Sequence, residues 1–275
     1  MKQEILSSLS PQYPWGERLH YYEEIGSTND TLKAMAKEGA PHGTAVIAGF
    51  QTNGLGRMGR TFLSPKNVGV YLSILLRPDC PPSQLMHLTC ATAVAMCSAL
   101  EAAAGVKPQI KWTNDLVYGK RKLGGILTEL GLTAQGNISY VIIGIGINCC
   151  QQESDFDPSI RDMAGSLFMA TGKPISRAKV AAAMLDALHQ MDLRLLTGKA
   201  EMLDAYRKKC ITVGQDISLL RGEEVRHGHA LDVDEEGALV VLFPDGQTEH
   251  IASGEVSVRG MYHYLKLRTL EIPTF

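Results

Sequence analysis

The sequence lacks a charge of one sign. Its 27 Lys and Arg are offset by 29 Asp and Glu, a formal net charge of -2. With no global basic footprint, bulk electrostatics do not suggest non-specific nucleic-acid binding, and any anion chemistry must come from local clusters. The six cysteines (Cys80, Cys90, Cys97, Cys149, Cys150 and Cys210) include no C-x-x-C pair, and no His/Cys cluster has zinc spacing. Cys90 and Cys97 lie in an Ala-rich helical stretch and read as small core residues. His20, His42, His87 and His189 are scattered, with no Ser-His-Asp or metal spacing. No apolar run reaches membrane-spanning length, and the opening MKQEIL lacks the layout of a signal peptide. Long repeats and low-complexity tracts are missing too. These absences lead us to expect a reduced, cytoplasmic protein with no membrane partner.

What is present is 275 residues, 45% hydrophobic and 20% charged, enough for one large domain or a medium one with a small companion. Ser27-Thr28-Asn29-Asp30 offers N-cap residues to a helix that Gly39 stops. Strands are expected over 44–50, 68–78 and 138–148, and a long helix over 83–105. Residues 108–115 read as a strand running into a loop, and 117–130 as a hairpin turning at Gly119-Lys120. A helix follows from Ser176 to about Gly198, then a shorter one over 200–209. After Cys210 short alternating runs are split by Arg221-Gly222, Glu236-Gly237 and Asp245-Gly246, the pattern of a small antiparallel β domain. The expected division is 1–210 and 211–275.

The stretch VIAGFQTNGLGRMGRTFLSP (46–65) carries Gly54, Gly56 and Gly59 in the letter pattern G-x-G-x-x-G. A dinucleotide loop needs a helix directly after its glycines, because the pyrophosphate sits on that helix's N-terminus. Asp79 lies at a passable spacing, but Pro65 and the strand beginning at Val68 leave no room for a crossover helix. A Walker loop is absent as well. What remains is a Gly-rich loop with two arginines, Arg57 and Arg60: either an anion clamp that lets backbone approach a ligand, or a solvated turn.

Other stretches carry chemistry with equal ambiguity. Asn114-Asp115 at a strand end suits Mg²⁺, which favours a carboxylate plus phosphate oxygens, or an Asx turn. Lys111 and Lys122 sit nearby in sequence, and Lys122 abuts an apolar strand with two glycines, so it can point into a pocket. Asn148 closes the apolar IGIGIN run, either as a turn residue or as a nucleotide ligand.

Taken together these stretches resemble the biotin–protein ligases. The order matches: Ser27-Thr28-Asn29, Gln51-Thr52 leading into Gly54-Leu55-Gly56-Arg57-Met58-Gly59-Arg60, then Lys111-Trp112-Thr113-Asn114-Asp115. Arg121-Lys122-Leu123-Gly124-Gly125-Ile126-Leu127 and Gly144-Ile145-Gly146-Ile147-Asn148 follow. The resemblance implies an α+β fold: a mixed-sheet catalytic domain similar to class II aminoacyl-tRNA synthetases, then an SH3-like domain. It also implies a reaction, in which biotin and MgATP give biotinyl-5′-AMP, and a lysine of a biotin carboxyl carrier protein then takes the biotin. By the resemblance, Ser27, Thr28, Asn29, Gln51, Gly54, Leu55, Gly56 and Gly125 lie along biotin. Arg57 and Lys122 act on the carboxylate and phosphate. Arg60, Phe62, Lys111, Trp112, Asn114 and Asn148 serve the nucleotide, and Asp115 serves Mg²⁺.

There are departures. Leu55 and Met58 stand where the family often has Arg, and Thr113 where it often has Pro. Only 26 residues precede Ser27, fewer than a winged helix needs, so no direct DNA binding is expected. The family includes monomers and homodimers, and the sequence favours neither. Rival readings are a lipoate or octanoate ligase or transferase of the same fold, a non-catalytic biotin-binding regulator, and an oxidoreductase disfavoured by the missing helix.

Overall fold

The computed structural model describes residues 1–221 and 224–258, so Gly222 of the expected Arg221-Gly222 turn and the stretch 259–275 lie outside the described residues. Seven strands form the first sheet: β1 (Leu19–Tyr22), β2 (Ala45–Ala48), β3 (Gly69–Leu76), β4 (Gln109–Lys111), β5 (Asp115–Tyr118), β6 (Arg121–Leu132) and β7 (Ile138–Asn148). Their order is β1-β2-β3-β7-β6-β5-β4. β1 and β2 pair in parallel and every other neighbouring pair is antiparallel, so the sheet is mixed. β3 is buried at every residue, which is why it reads as a continuous apolar run: both faces of the sheet are covered.

The covers differ. On one face α2 (Thr28–Lys37) sets Leu32 and Ala36 against Val46, Leu75 and Ile142. On the other, α3 (Leu88–Ala104) and α5 (Arg177–Arg194) join a larger cluster with Leu72, Ile74, Ile143 and Ile145. The short helices α1 (Lys2–Ser8) and α4 (Leu167–Thr171) and the helix α6 (Lys199–Lys209) complete the first unit. The helix expected over 83–105 begins later, at Leu88. Pro81 and Pro82 hold the preceding turn as a 3₁₀ segment, Pro82–Leu85, and Gly105 ends α3 at φ 67°. The stretch Pro82–Ala104 is long and apolar enough to cross a membrane by composition, a finding the sequence reading missed, yet most of it is buried in the core.

The second sheet holds β8 (Asp216–Arg221), β9 (Glu224–Val233), β10 (Leu239–Leu242), β11 (Thr248–Ile251) and β12 (Glu255–Val258), all antiparallel, in the order β11-β10-β9-β8-β12. The expected turns at Gly237 and Gly246 are there, with φ +85° and +83°, the left-handed backbone that glycine accepts without strain. The fold class is therefore α+β, a mixed sheet followed by a small antiparallel one. The larger core cluster runs from the first sheet into the second, through Ile110, Trp112, Ile217 and Val233.

Candidate functional site

The site lies on the α2 face of the first sheet. Ser27 caps α2 by accepting the Asp30 N–H at 3.4 Å, and this sets Thr28 and Asn29, both buried, in the first turn above β3 and β7. β7 makes room for them. Gly144 and Gly146 share a face at period two, and a Cβ at Gly144 would stand 2.1 Å from Asn29 Oδ1. At Gly146 a Cβ would meet the Phe62 ring at 2.3 Å. These two glycines floor the cleft, and the sequence reading did not count them among the site residues. Two glycines spaced by two within an apolar strand were the available signal: one face of a buried strand stripped of side chains.

A polar chain runs across this floor. Asn29 Nδ2 donates to Glu129 Oε2 at 2.6 Å, and Ser73 Oγ lies 2.5 Å from Asn29 Oδ1 and 2.8 Å from Thr28 Oγ1. Gln51 Oε1 accepts from Thr28 N (2.8 Å) and lies 3.0 Å from Thr28 Oγ1, while Gln51 Nε2 donates to Ser64 Oγ at 2.8 Å. Ser73 and Glu129 were also missed, because a lone Ser in an apolar strand carries no sequence signal.

The Gly-rich loop closes on itself. Gln51 bridges Ser64 and Leu55 bridges Thr61, with Gly56 N–H on Arg60 O (2.7 Å) and Phe62 N–H on Gly54 O (2.9 Å). As expected from the lack of room for a crossover helix, only a 3₁₀ turn, Arg57–Gly59, follows the first glycines. Gly54 has to be glycine, since a Cβ there would sit 2.3 Å from Phe62 O.

The cationic end comes from the loop and the β5–β6 hairpin. Arg57 Nη1 donates to Asn114 Oδ1 at 2.9 Å, and Asn114 Nδ2 donates to Ile126 O at 2.9 Å. Burial lowers the Arg57 pKa, while Asp115 works to raise it. Lys122 Nζ stands 2.6 Å from Asp115 Oδ1. A neighbouring segment grips the Lys122 backbone: its N–H donates to Met163 O (2.7 Å) and its carbonyl accepts from Gly165 N–H (2.9 Å). Lys111 is buried behind them, its pKa lowered by desolvation and supported by Asp115.

Together these elements bound an open cleft on the α2 face of the sheet. Ser27, Thr28, Asn29 and Gln51 line one end. Leu55, Gly56, Arg57 and Phe62 come from the loop, Asn114 from the turn between β4 and β5, and Lys122 and Gly125 from β6. Ile126, Leu127, Gly144, Ile145 and Gly146 complete the walls.

Six expected site residues do not line it. Trp112 is buried in the seam between the sheets, its Nε1–H on Gly237 O at 3.0 Å. Asn148 spends its amide on Gly165 O (2.9 Å) and Gln151 Nε2 (3.0 Å). Arg60 turns outward to an ion pair with Glu255 of β12. Gly54 and Lys111 are not among the lining residues, and Asp115 meets the cleft only through the Lys122 amine. For Trp112, Asn148, Arg60 and Asp115 the physical reason is a local partner: Gly237, Gly165 and Gln151, Glu255, and Lys122 take up the polar atoms that sequence order alone would have offered to a ligand.

Comparison with known proteins agrees with this geometry. Residues 21–148 match the biotin/lipoate A/B protein ligase family, and residues 212–259 match the biotin protein ligase C-terminal domain. The chain is 36% identical over 232 residues to the bifunctional ligase/repressor BirA of Bacillus subtilis, covering 84% of this chain and 71% of that one. It is 29% identical to the biotin–[acetyl-CoA-carboxylase] ligase of Mycobacterium tuberculosis, covering 87% of this chain and 88% of that one. The biotin protein ligase of Aquifex aeolicus, solved with biotin and ATP, superposes with a TM-score of 0.73 at 30% identity, over 88% of this chain and 98% of that one. The two domain matches, the shared fold and the identity over most of both chains place this protein in the biotin/lipoate A/B protein ligase family.

Proposed function

We propose that this chain is a biotin protein ligase that adenylates biotin with ATP and passes the biotinyl group to a lysine of a biotin carboxyl carrier protein. The observation that carries the reading is the polarity of the cleft. One end is a neutral network of Thr28, Asn29 and Gln51; the other presents Arg57 and Lys122. That arrangement suits a molecule with a neutral polar head and a carboxylate tail. A carboxylate is a poor acyl donor, and adenylation converts an oxide into a leaving group. Two anions must be brought together and water kept out while the mixed anhydride survives. Arg57 and Lys122 supply the fixed charge where negative charge develops, and a donor of this kind is worth about 10²–10³ in rate. Gly125 lies beside the Lys122 amine, where an added Cβ would stand at ordinary contact distance, 3.5 Å from Nζ.

Asn114, Phe62, Lys111 and Arg60 are assigned to the nucleotide side. Trp112 and Asn148 act there through packing rather than contact. No group of three His, Cys, Asp or Glu among the described residues forms a metal cage. A single carboxylate, Asp115, with one oxygen committed to Lys122, fits Mg²⁺ arriving on the phosphates of ATP. Bound there, Mg²⁺ supplies neutralisation of the triphosphate charge. The division near residue 210 into a catalytic unit and a C-terminal unit belongs to the same proposal. So does a cytoplasmic setting, supported by six free thiols.

ATP–pyrophosphate exchange with biotin, lipoate or octanoate as the only acid tests the reading. Exchange with biotin supports it. Exchange with lipoate or octanoate alone moves the protein to the sister activity, and no exchange from folded protein with Mg²⁺ favours a binding role.

A further inference from the structure

Glu129 does not line the cleft, yet it determines what the cleft floor can accept. At neutral pH a carboxylate only accepts hydrogen bonds. The end of the Asn29 amide that stands 2.6 Å from Glu129 Oε2 must therefore be the NH₂, and the other end, Oδ1, is turned toward β3. There it meets Ser73 Oγ at 2.5 Å. Two oxygens at that distance need a proton between them, and only Ser73 has one to give. The Ser73 proton is thus committed to Asn29, and the Ser73 oxygen faces Thr28 Oγ1 at 2.8 Å as an acceptor. By the same rule the 2.8 Å contact takes the Thr28 hydroxyl proton, which is drawn to Ser73 Oγ and stays inside the protein. What remains toward the cleft is a lone pair on Thr28 Oγ1 and the second lone pair of Asn29 Oδ1.

We infer that Glu129 is a positioning residue that sets acid specificity. By fixing the Asn29 amide, it polarises the Asn29–Ser73–Thr28 chain so that the floor accepts hydrogen bonds from ring N–H groups of the bound acid. The inference rests on the reading of the acid as biotin, whose cyclic urea carries two such N–H groups. The anchor is well placed for this. Glu129 is held from the other side by Lys33 Nζ at 2.7 Å, and it rides on β6 opposite Ile142 of β7. A neutral, apolar residue at 129 releases the amide to flip, and a flipped Asn29 offers Ser73 an NH₂ instead of an oxygen. Sites built to pair with a polar head reject analogues that lack it more strongly than apolar sites reject extra bulk.

The test is calorimetric binding of biotin and of a biotin methylated on the ureido nitrogens, with the parent, Glu129→Leu, Glu129→Gln and Lys33→Met. The parent should prefer biotin strongly. Glu129→Leu should weaken biotin by at least tenfold while leaving the methylated analogue within about threefold, so the preference collapses. Glu129→Gln, whose carbonyl still accepts the Asn29 N–H, should recover most of the preference, and Lys33→Met should keep it. KM for ATP and the melting temperature should not follow the biotin loss. An equal loss for both ligands in Glu129→Leu would mean a merely structural role, and an unchanged preference would overturn the inference outright. Failure of the underlying reading is seen separately, as a parent protein that binds no biotin.

Discussion

Lys122 enters the cleft from the start of β6 with its backbone clamped by Met163 and Gly165 and its amine on Asp115. A lysine fixed at both ends serves as a point charge at a defined place, which is what an adenylation transition state needs. Lys122→Ala should lower biotin-dependent pyrophosphate exchange by at least about 10²-fold. The circular dichroism spectrum should be unchanged, because the side chain is part-exposed and packs little. Retained exchange would remove Lys122 from the chemistry. Arg57 does a different job. Its guanidinium reaches Asn114 across the cleft mouth and ties the loop to the turn between β4 and β5. Arg57→Gly should loosen the adenylate and let it escape, so a mixed lysate with biotin and ATP should show labelling spread over many proteins on a streptavidin blot. A blot as selective as the parent's would count against this role. In the sequence Arg57 stood out as an arginine in a Gly-rich loop and Lys122 as a lysine abutting an apolar strand with two glycines, while their roles came from the family resemblance. Asn148 and Trp112 were legible only as neighbours of the site, since their partners, Gly165 and Gly237, are remote in sequence.

At the scale of elements, the site is a consequence of β7. Its apolar alternation made the strand easy to read, and the same pleat sends Gly144 and Gly146 to the α2 face. Neither glycine has an unusual backbone requirement there; what it supplies is the absence of a side chain. Gly144→Ala would place a Cβ 2.1 Å from Asn29 Oδ1, well inside any real contact, so Asn29 must move. The expected result is a rise of at least tenfold in KM for biotin with kcat within a few-fold, read from exchange kinetics at saturating ATP. A variant with parental KM would show that Asn29 is not held for the ligand. β2, β3, β7 and the β5–β6 hairpin were readable from periodicity and from glycine at the turns, whereas the four-residue edge strand β1 (Leu19–Tyr22) was not. The start of α3 was not, because Pro81 and Pro82 permit a 3₁₀ lead-in that the apolar pattern does not distinguish from helix. Nor was the grip of residues 163–165 on Lys122, a pairing between segments about forty residues apart that leaves no periodic trace.

At the scale of the molecule, the second sheet is bound to the site through a few specific contacts rather than resting beside it. Arg60 of the loop pairs with Glu255 of β12, Arg207 Nε donates to Val233 O at 2.6 Å, and Trp112 donates to Gly237 O at 3.0 Å. The Trp112 backbone N–H also meets Thr212 Oγ1 at 2.9 Å. The residue therefore holds the chain's crossing point while its neighbour Asn114 lines the cleft. Trp112→Phe keeps most of the packing but leaves the buried Gly237 carbonyl with only the weak Cys90 thiol donor at 3.9 Å, a loss of about 1–3 kcal/mol. For a chain of this size that lowers Tm by several degrees, at about 2–4 °C per kcal/mol. The continuous core predicts that calorimetry will record one unfolding transition in the parent and in the variant. KM for ATP should stay within twofold, because the indole does not line the cleft. A large rise in that KM with an unchanged Tm would return Trp112 to the nucleotide, and a split transition would mean that the seam contacts, rather than the shared core, hold the two sheets together.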